Sequence, residues 1–146
     1  MTIKTILLVE DNPQDEMLTL RALRKANLAN RIDVARDGQQ ALDYLWRQGD
    51  FARREGPDLP AVVLLDIGLP RLSGLEVLAH LRADERTALL PVVILTSSDM
   101  EQDRLVSYAS GCNSFVRKPV NFVEFVETVS RLGIYWLAIN EPSAAR

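Results

Sequence analysis

The stretch Ala61–Pro70, AVVLLDIGLP, sets the pattern for the whole chain. An uninterrupted run of Val and Leu leads into one carboxylate, Asp66, and the chain then breaks at Gly68 and Pro70. Such a run between turn residues predicts a strand buried on both faces, as in a parallel sheet. Because burying an isolated carboxylate is costly, we expect Asp66 to lie where the strand emerges. From this stretch alone, an ordinary turn or helix-capping aspartate is an equally good interpretation.

The composition is that of a globular protein with one core. The chain has 146 residues, of which 47% are hydrophobic and 25% are charged, and its net charge is −3. This length fits one domain, and the slightly acidic balance offers no basic surface for nucleic acid or a membrane. The single cysteine, Cys112, excludes an internal disulfide. No apolar run is long enough for a signal peptide or a membrane helix, so we expect a cytoplasmic protein.

Apolar runs alternate with amphipathic segments along the chain. We predict strands at 3–9, 31–35, 61–65, 92–95 and 113–116. The predicted helices are 13–27, the segment after the turn at Asp37, a helix that Ser73 caps, 99–110 with Gly111 closing it, and 121–140. Five strands alternating with five helices predict an α/β fold with a parallel, doubly wound sheet and right-handed crossovers.

Polar residues directly follow four of the five predicted strands. They are Glu10, Asp11, Asp66, Thr96 and Lys118. The carboxyl ends of parallel strands share one edge of a sheet, so these side chains should meet in one crevice. Three close carboxylates need a cation, and oxygen ligands without His or Cys favour Mg²⁺ or Mn²⁺. The set suits phosphoryl transfer with Asp66 as nucleophile, although Thr96 or Lys118 taken singly is an ordinary turn or surface residue.

These residues lie in motifs that resemble the response-regulator receiver domain of two-component signalling. The motifs are VEDN with Glu10 and Asp11, LLDIGLP with Asp66, LTSS with Thr96, and FVRKP with Lys118. They stand in the family's order over about residues 3–132. The resemblance implies a flavodoxin-like (βα)5 fold with strand order 2-1-3-4-5. It also implies a single receiver domain over 1–146, with a helical extension and tail at 133–146 and no output domain.

The resemblance also implies how the phosphoryl group is bound. Asp66 would accept it from a phosphohistidine on a sensor histidine kinase, and Thr96 and Lys118 would contact phosphoryl oxygens. Phe115 stands at the family's switch-aromatic position, and its ring would turn inward as Thr96 moves towards the phosphate. The peptide bond between Lys118 and Pro119 is typically cis in this family.

The metal would be Mg²⁺, with Mn²⁺ as a substitute. By resemblance, its ligands would be Glu10, Asp11, Asp66 and the backbone carbonyl of Gly68. Two positions depart from the family pattern: Gly68 replaces a frequent polar residue, and Ser98 is small. Both positions flank the path of an attacking water, so the lifetime of the phosphoryl group in this chain does not follow from the lifetimes of other family members.

Within this family the chain is most similar to stand-alone regulators that partner phytochrome-type histidine kinases. The longer loop 47–60 and the C-terminal stretch around Tyr135, Trp136 and Leu137 support that subgroup. The last helix carries more apolar residues than one face requires, and surplus apolar surface often marks an interface. We therefore expect a homodimer through the fourth helix, fifth strand and fifth helix, as in many receivers. The alternative is that the C-terminal end folds back over its own core.

Three other functions match parts of the sequence. A Mg²⁺-dependent aspartyl phosphohydrolase would be expected to have an acid in place of Gly68 and a cap domain. A receiver-like adaptor that works without phosphorylation would be expected to lack one of the five site residues, and a transcription factor would need an output domain. We expect a phospho-accepting signalling domain that supports only its own phosphorylation and dephosphorylation.

His80 is predicted to be a surface residue, and Cys112 a structural thiol.

Overall fold

A computed structural model of the chain describes residues 5–26, 31–54, 59–97, 101–118 and 121–134. Strands and helices alternate along these ranges. The strands are β1 (Thr5–Val9), β2 (Arg31–Ala35), β3 (Val62–Leu65), β4 (Val92–Thr96) and β5 (Ser114–Arg117). The α-helices are α1 (Pro13–Ala26), α2 (Gly38–Leu45), α3 (Gly74–Ala83), α4 (Glu101–Ala109) and α5 (Phe122–Ile134). A short 3-10 helix at Gly49–Phe51 interrupts the loop that follows α2.

All strands pair in parallel in one sheet with the order β2-β1-β3-β4-β5, which confirms the predicted topology. The register places Leu65 of β3 between Val9 of β1 and Ile94 of β4. The residues that follow these strands are therefore neighbours at one edge of the sheet. β2 is an edge strand of the sheet, and no residue of the predicted crevice follows it.

The two faces of the sheet bury different helices. On β3, Val63 and Leu65 face the core layer formed with α2 and α3, whereas Val62 and Leu64 face the layer formed with α1 and α5. Because successive side chains of a strand point to opposite faces, a central strand covered on both faces must be apolar throughout. This requirement explains the uninterrupted Val and Leu run of β3.

Side-chain caps fix the starts of two helices next to the sheet edge. The Asn12 side-chain oxygen accepts hydrogen bonds from the backbone N–H groups of Gln14 at 2.9 Å and Asp15 at 3.0 Å. Ser73 caps α3 as predicted and forms a capping box with Glu76. A cap of this kind contributes about 1 kcal/mol, and it also fixes where the first helical turn points.

An arginine ties the opposite, amino-terminal edge of the sheet together. The Arg82 guanidinium donates to the backbone carbonyls of Leu90 at 2.8 Å and Gly111 at 2.9 Å, and to the side-chain oxygen of Asn113 at 3.0 Å. That same Asn113 oxygen accepts the N–H of Val92 at 2.8 Å. We call this group the Arg82 joint. It links the end of α3 to the segments that lead into β4 and β5.

Some predicted boundaries differ from the structure. β4 continues to Thr96 because that residue pairs with Arg117, and β5 begins and ends one residue later than predicted. The predicted cap at Asp99 and the helical continuation from 135 to 140 lie outside the described residues. Gly111 has a φ of 99°, which only glycine adopts without strain, and it follows α4 as predicted.

No helix in the described ranges combines the length and apolar character that a membrane crossing requires.

Candidate functional site

A cleft of about 490 Å³ opens at the carboxyl-terminal edge of the sheet. It lies where the chain leaves β1, β3 and β4, which is where ligands bind in open α/β sheets. The residues that line it are Asp11, Asn12, Asp15, Asp66, Ile67, Gly68, Thr96, Ser97 and Asp103. Most of the lining is polar or acidic, so the cleft suits a cation or a ligand brought in with one.

Three of the predicted residues form an acidic cluster at this cleft, which Asp11 and Asp66 line while Glu10 is buried beside them. Carboxylate oxygens of Glu10, Asp11 and Asp66 all lie within 4.8 Å of one another. The strand register causes this proximity, because Val9 pairs with Leu65 and the acids follow those two residues. Close carboxylates repel one another, and a divalent cation with oxygen ligands relieves that repulsion. The donor set therefore fits Mg²⁺ or Mn²⁺.

Lys118 reaches into the same cluster from the end of β5. Its ammonium contacts Glu10 at hydrogen-bond distance, an oxygen of Asp15 at 3.1 Å and an oxygen of Asp66 at 3.6 Å. Only 8% of its side chain is exposed. The backbone N–H of Lys118 donates to the carbonyl of Thr96 at 2.7 Å, which holds the ends of β4 and β5 together.

Burial changes the acid–base properties of the Glu10–Lys118 pair. Burial raises the pKa of Glu10 to about 7, and the charge of Asp66 adds to the increase while Lys118 opposes it. Burial acts to lower the pKa of Lys118, but hydrogen bonding and attraction to Glu10, together with the Asp66 charge, outweigh it and raise that pKa. The ammonium is therefore a permanent positive charge next to Asp66.

Glycines give the cleft one rigid wall and one open wall. A Cβ atom added to Gly74 would lie 2.0 Å from the carbonyl oxygen of Asp66, so only glycine lets α3 begin against this backbone. At Gly68, in contrast, an added Cβ would meet no atom within 4 Å. The backbone N–H of Gly68 also donates to Asp66 at 3.3 Å. Asp66 is thus held firmly while its open side remains accessible.

The two predicted switch residues, Thr96 and Phe115, lie on β4 and β5. Thr96 is buried, with 4% of its surface exposed, and lines the cleft. Phe115, on β5 opposite Ile94, is half-buried against the core layer of α2 and α3. Its backbone N–H donates to the hydroxyl of Tyr108 on α4 at 3.2 Å.

Sequence reasoning missed two acids of the cleft, Asp15 and Asp103. Both belong to the first turns of helices, α1 and α4, and not to the ends of strands. Asp15 lies four residues after Asp11, but Asp11 precedes α1, so the helical spacing rule does not link the two residues. No sequence signal marks either acid of the cleft.

Other predicted residues lie outside the cleft or outside the described ranges. His80 is exposed on α3, and Cys112 is a buried free thiol. Ser98, Pro119 and the proposed interface residues Tyr135, Trp136 and Leu137 lie outside the described residues. The cis peptide expected before Pro119 lies there as well.

Known proteins similar to this chain share its full fold. The solved phosphorylated cyanobacterial phytochrome response regulator RcpA is 32% identical, with a TM-score of 0.88 over 98% of this chain and 100% of RcpA. The bacteriophytochrome response regulator RtBRR is 50% identical, with a TM-score of 0.78 over 98% of this chain and 86% of RtBRR.

A curated relative adds a metal-bound example. Response regulator Rcp1 of Synechocystis is 34% identical over 134 residues, which cover 92% of this chain and 89% of Rcp1. A Mn²⁺-bound form of Rcp1 has been solved, with a TM-score of 0.85 over 97% of this chain and 99% of the Rcp1 chain. The sequence profile of the response regulator receiver domain matches residues 6–130. The chain therefore belongs to the response regulator receiver domain family and is close to the response regulators of phytochrome systems.

Proposed function

We propose that Asp66 accepts a phosphoryl group from a phosphohistidine on a sensor histidine kinase. The observation that carries the proposal is the position of Asp66 in the open cleft, flanked by two further acids and by the buried Lys118 ammonium. An Asp66 carboxylate oxygen forms a bond to phosphorus as the bond from phosphorus to the histidine nitrogen breaks. The nitrogen keeps the bonding electron pair. Catalysis of this step is mainly positioning and neutralisation of charge.

The residues around Asp66 have distinct roles in this proposal. Lys118 pairs with one phosphoryl oxygen, and the Thr96 hydroxyl donates a hydrogen bond to another. Glu10, Asp11, Asp66 and the carbonyl of Gly68 would hold Mg²⁺, or Mn²⁺ in its place, and the ion would neutralise phosphoryl charge. The Mn²⁺-bound form of Rcp1 supports this choice of metals. Phe115 acts as the switch aromatic that follows Thr96.

The partner that we propose is a phytochrome-type histidine kinase, supported by the likeness to RcpA and RtBRR. We further propose a stand-alone cytoplasmic regulator with one receiver domain, supported by a match that covers 100% of the solved RcpA chain. Without an output domain, such a regulator would signal by protein–protein contact after its conformation changes.

We also propose a homodimer through α4, β5 and α5, extended by Tyr135, Trp136 and Leu137. Exposed apolar side chains support this face: Leu105 on α4 is 60% exposed and Val123 on α5 is 65% exposed. Sedimentation velocity of Leu105→Glu tests the interface, and dimerisation as tight as that of the wild type would contradict it.

Phosphorylation by acetyl phosphate with Mg²⁺ tests the main proposal. Intact-protein mass spectrometry should show one added phosphoryl group in the wild type, labile to base, and none in Asp66→Asn. Asp43→Asn is the matched control, because Asp43 bonds Gln39 and Gln48 on the exposed side of α2 and should leave labelling unchanged. Labelling of Asp66→Asn at the wild-type rate would refute the assignment. Absence of labelling in the wild type would support the phosphorylation-independent adaptor instead.

A further inference from the structure

Asp15 lines the cleft and contacts Lys118, but it does not belong to the acidic cluster of Glu10, Asp11 and Asp66. Its Oδ2 atom lies 3.1 Å from the Lys118 ammonium, closer than the 3.6 Å between that ammonium and Asp66. Its side chain is 37% exposed and lines the cleft. The contact joins the first turn of α1 to the end of β5, across 103 residues of sequence.

The start of α1 holds Asp15 in this position. Its backbone N–H donates to the capping oxygen of Asn12, and its carbonyl accepts a hydrogen bond from the hydroxyl of Thr19 at 2.8 Å. Thr19 is fully buried, so this turn cannot shift without disturbing the core under α1. A carboxylate in the first turn is also favoured by the helix dipole. Asp15 therefore presents a fixed negative charge to Lys118.

The other two carboxylates near Lys118 have a second demand on their oxygens. Glu10 and Asp66 both belong to the cluster whose oxygens converge within 4.8 Å. A cation bound by that cluster would weaken the attraction of Glu10 and Asp66 to the Lys118 ammonium. Phosphorylation would in addition convert one carboxylate oxygen of Asp66 into the oxygen bonded to phosphorus. Asp15 lies outside the cluster, so its attraction to the ammonium persists through both events.

We infer that Asp15 is a positioning residue that holds the Lys118 ammonium beside Asp66 for contact with the phosphoryl group. An ammonium has three N–H donors. With one donor towards Glu10 and one towards Asp15, the third is left facing Asp66 and the phosphoryl oxygens placed there. The inference rests on the proposed function, because it assigns to Asp15 the orientation of a group that acts in that reaction.

The kinetic test compares Asp15→Asn and Asp15→Glu with the matched control Glu16→Gln. Glu16 is the neighbouring acid of the same helical turn, but it pairs with Arg36 and lies outside the cleft lining. With acetyl phosphate at saturation, the rate at which Asp15→Asn becomes phosphorylated should be roughly tenfold lower than that of the wild type. The Lys118 ammonium would no longer be held in the orientation that the reaction requires. Asp15→Glu should recover most of the rate because it keeps the charge, and Glu16→Gln should match the wild type.

Two measurements separate positioning of Lys118 from metal binding. Mg²⁺ affinity from calorimetry should change less than about twofold in Asp15→Asn, because Asp15 is outside the acidic cluster. Acetylation by acetic anhydride, followed by mass spectrometry on unphosphorylated protein, reports on the Lys118 ammonium directly. The chain contains three lysines, and exposed Lys25 is the internal reference. Asp15→Asn should raise the ratio of Lys118 to Lys25 modification, and Glu16→Gln should not.

Each result supports or overturns the inference. An unchanged acetylation ratio with an unchanged rate would show that Asp15 does not position Lys118. A large loss of Mg²⁺ affinity in Asp15→Asn would place Asp15 in the metal site instead. If the wild type itself accepts no phosphoryl group, the proposed function fails, while the acetylation ratio still decides whether Asp15 restrains the ammonium.

Discussion

The acidic cleft and the Arg82 joint lie at opposite edges of the same sheet, and in each of them chain segments meet around one cation, Lys118 in the cleft and the partly buried Arg82 in the joint. In the cleft, carboxylates of Glu10, Asp15 and Asp66 surround Lys118. In the joint, neutral carbonyl and amide oxygens surround Arg82. Neutral oxygens satisfy a cation without repelling one another, so the joint is complete in itself. The cleft carries more negative charge than one ammonium balances, so we expect a bound cation to complete it.

This difference separates residues that stabilise the fold from residues that serve the reaction. The joint fixes the end of α3 and the entries to β4 and β5, and nothing in its contacts requires a ligand. The cleft retains unbalanced negative charge on rigid strand ends. The repulsion between these carboxylates is unfavourable in the free protein, but the same carboxylates are available to bind Mg²⁺ for the proposed phosphoryl transfer. Variants in the joint should therefore keep the stabilisation by Mg²⁺, whereas variants in the acidic cluster should lose it.

The largest expected effect is at the joint. Arg82→Met should lower the free energy of unfolding by about 2–4 kcal/mol, because several partly buried carbonyl oxygens lose the donor that Arg82 supplies. Urea denaturation with and without Mg²⁺ measures it, and the loss should be the same in both conditions. Arg86→Met is the control, since Arg86 pairs on the surface with Asp84 two residues away. An equal loss in both variants would remove the distinction drawn for Arg82.

A smaller effect is expected when the cation of the cleft is supplied. At a hundredfold excess over its dissociation constant, Mg²⁺ should raise the free energy of unfolding of the wild type by roughly 2.7 kcal/mol. Asp11→Asn removes one carboxylate of the acidic cluster and should lose most of this gain, while Arg82→Met should keep it. Sodium chloride at matched ionic strength controls for screening of surface charge. Full retention of the Mg²⁺ effect in Asp11→Asn would contradict the assigned metal site.

The smallest expected effect concerns repulsion within the cluster when no metal is present. With a chelator, Asp66→Asn should raise the free energy of unfolding by on the order of 1 kcal/mol, because it removes one of three crowded charges. The asparagine oxygen can still accept the Gly68 N–H, so that hydrogen bond is kept. Thermal and urea unfolding of both proteins measure the difference. A destabilised Asp66→Asn would mean that the attraction to Lys118 outweighs the repulsion.

The sequence predicted the cleft where its residues obey one simple rule. A polar residue that follows a buried apolar run must emerge at the strand end, and this rule found Asp66 and Thr96 among the others. Asp15 escaped it because the direction of a side chain on a first helical turn depends on how the helix packs against the sheet. The role of Arg82 was not predicted because most of its partners are backbone carbonyls, up to 29 residues away, which no side-chain pattern records. The parallel sheet followed from the alternation of elements and the strand order from the family resemblance, whereas the ends of β4 and β5 depended on their pairing.

The open space at Gly68 makes this chain convenient for spectroscopy. The only cysteine in the sequence, Cys112, is buried, so Gly68→Cys would provide a single accessible thiol at the mouth of the cleft. A Cβ there meets no neighbour within 4 Å, and a small fluorophore attached to it would extend into solvent without displacing Asp66. Such a label would follow arrival of the metal and the phosphoryl group in real time.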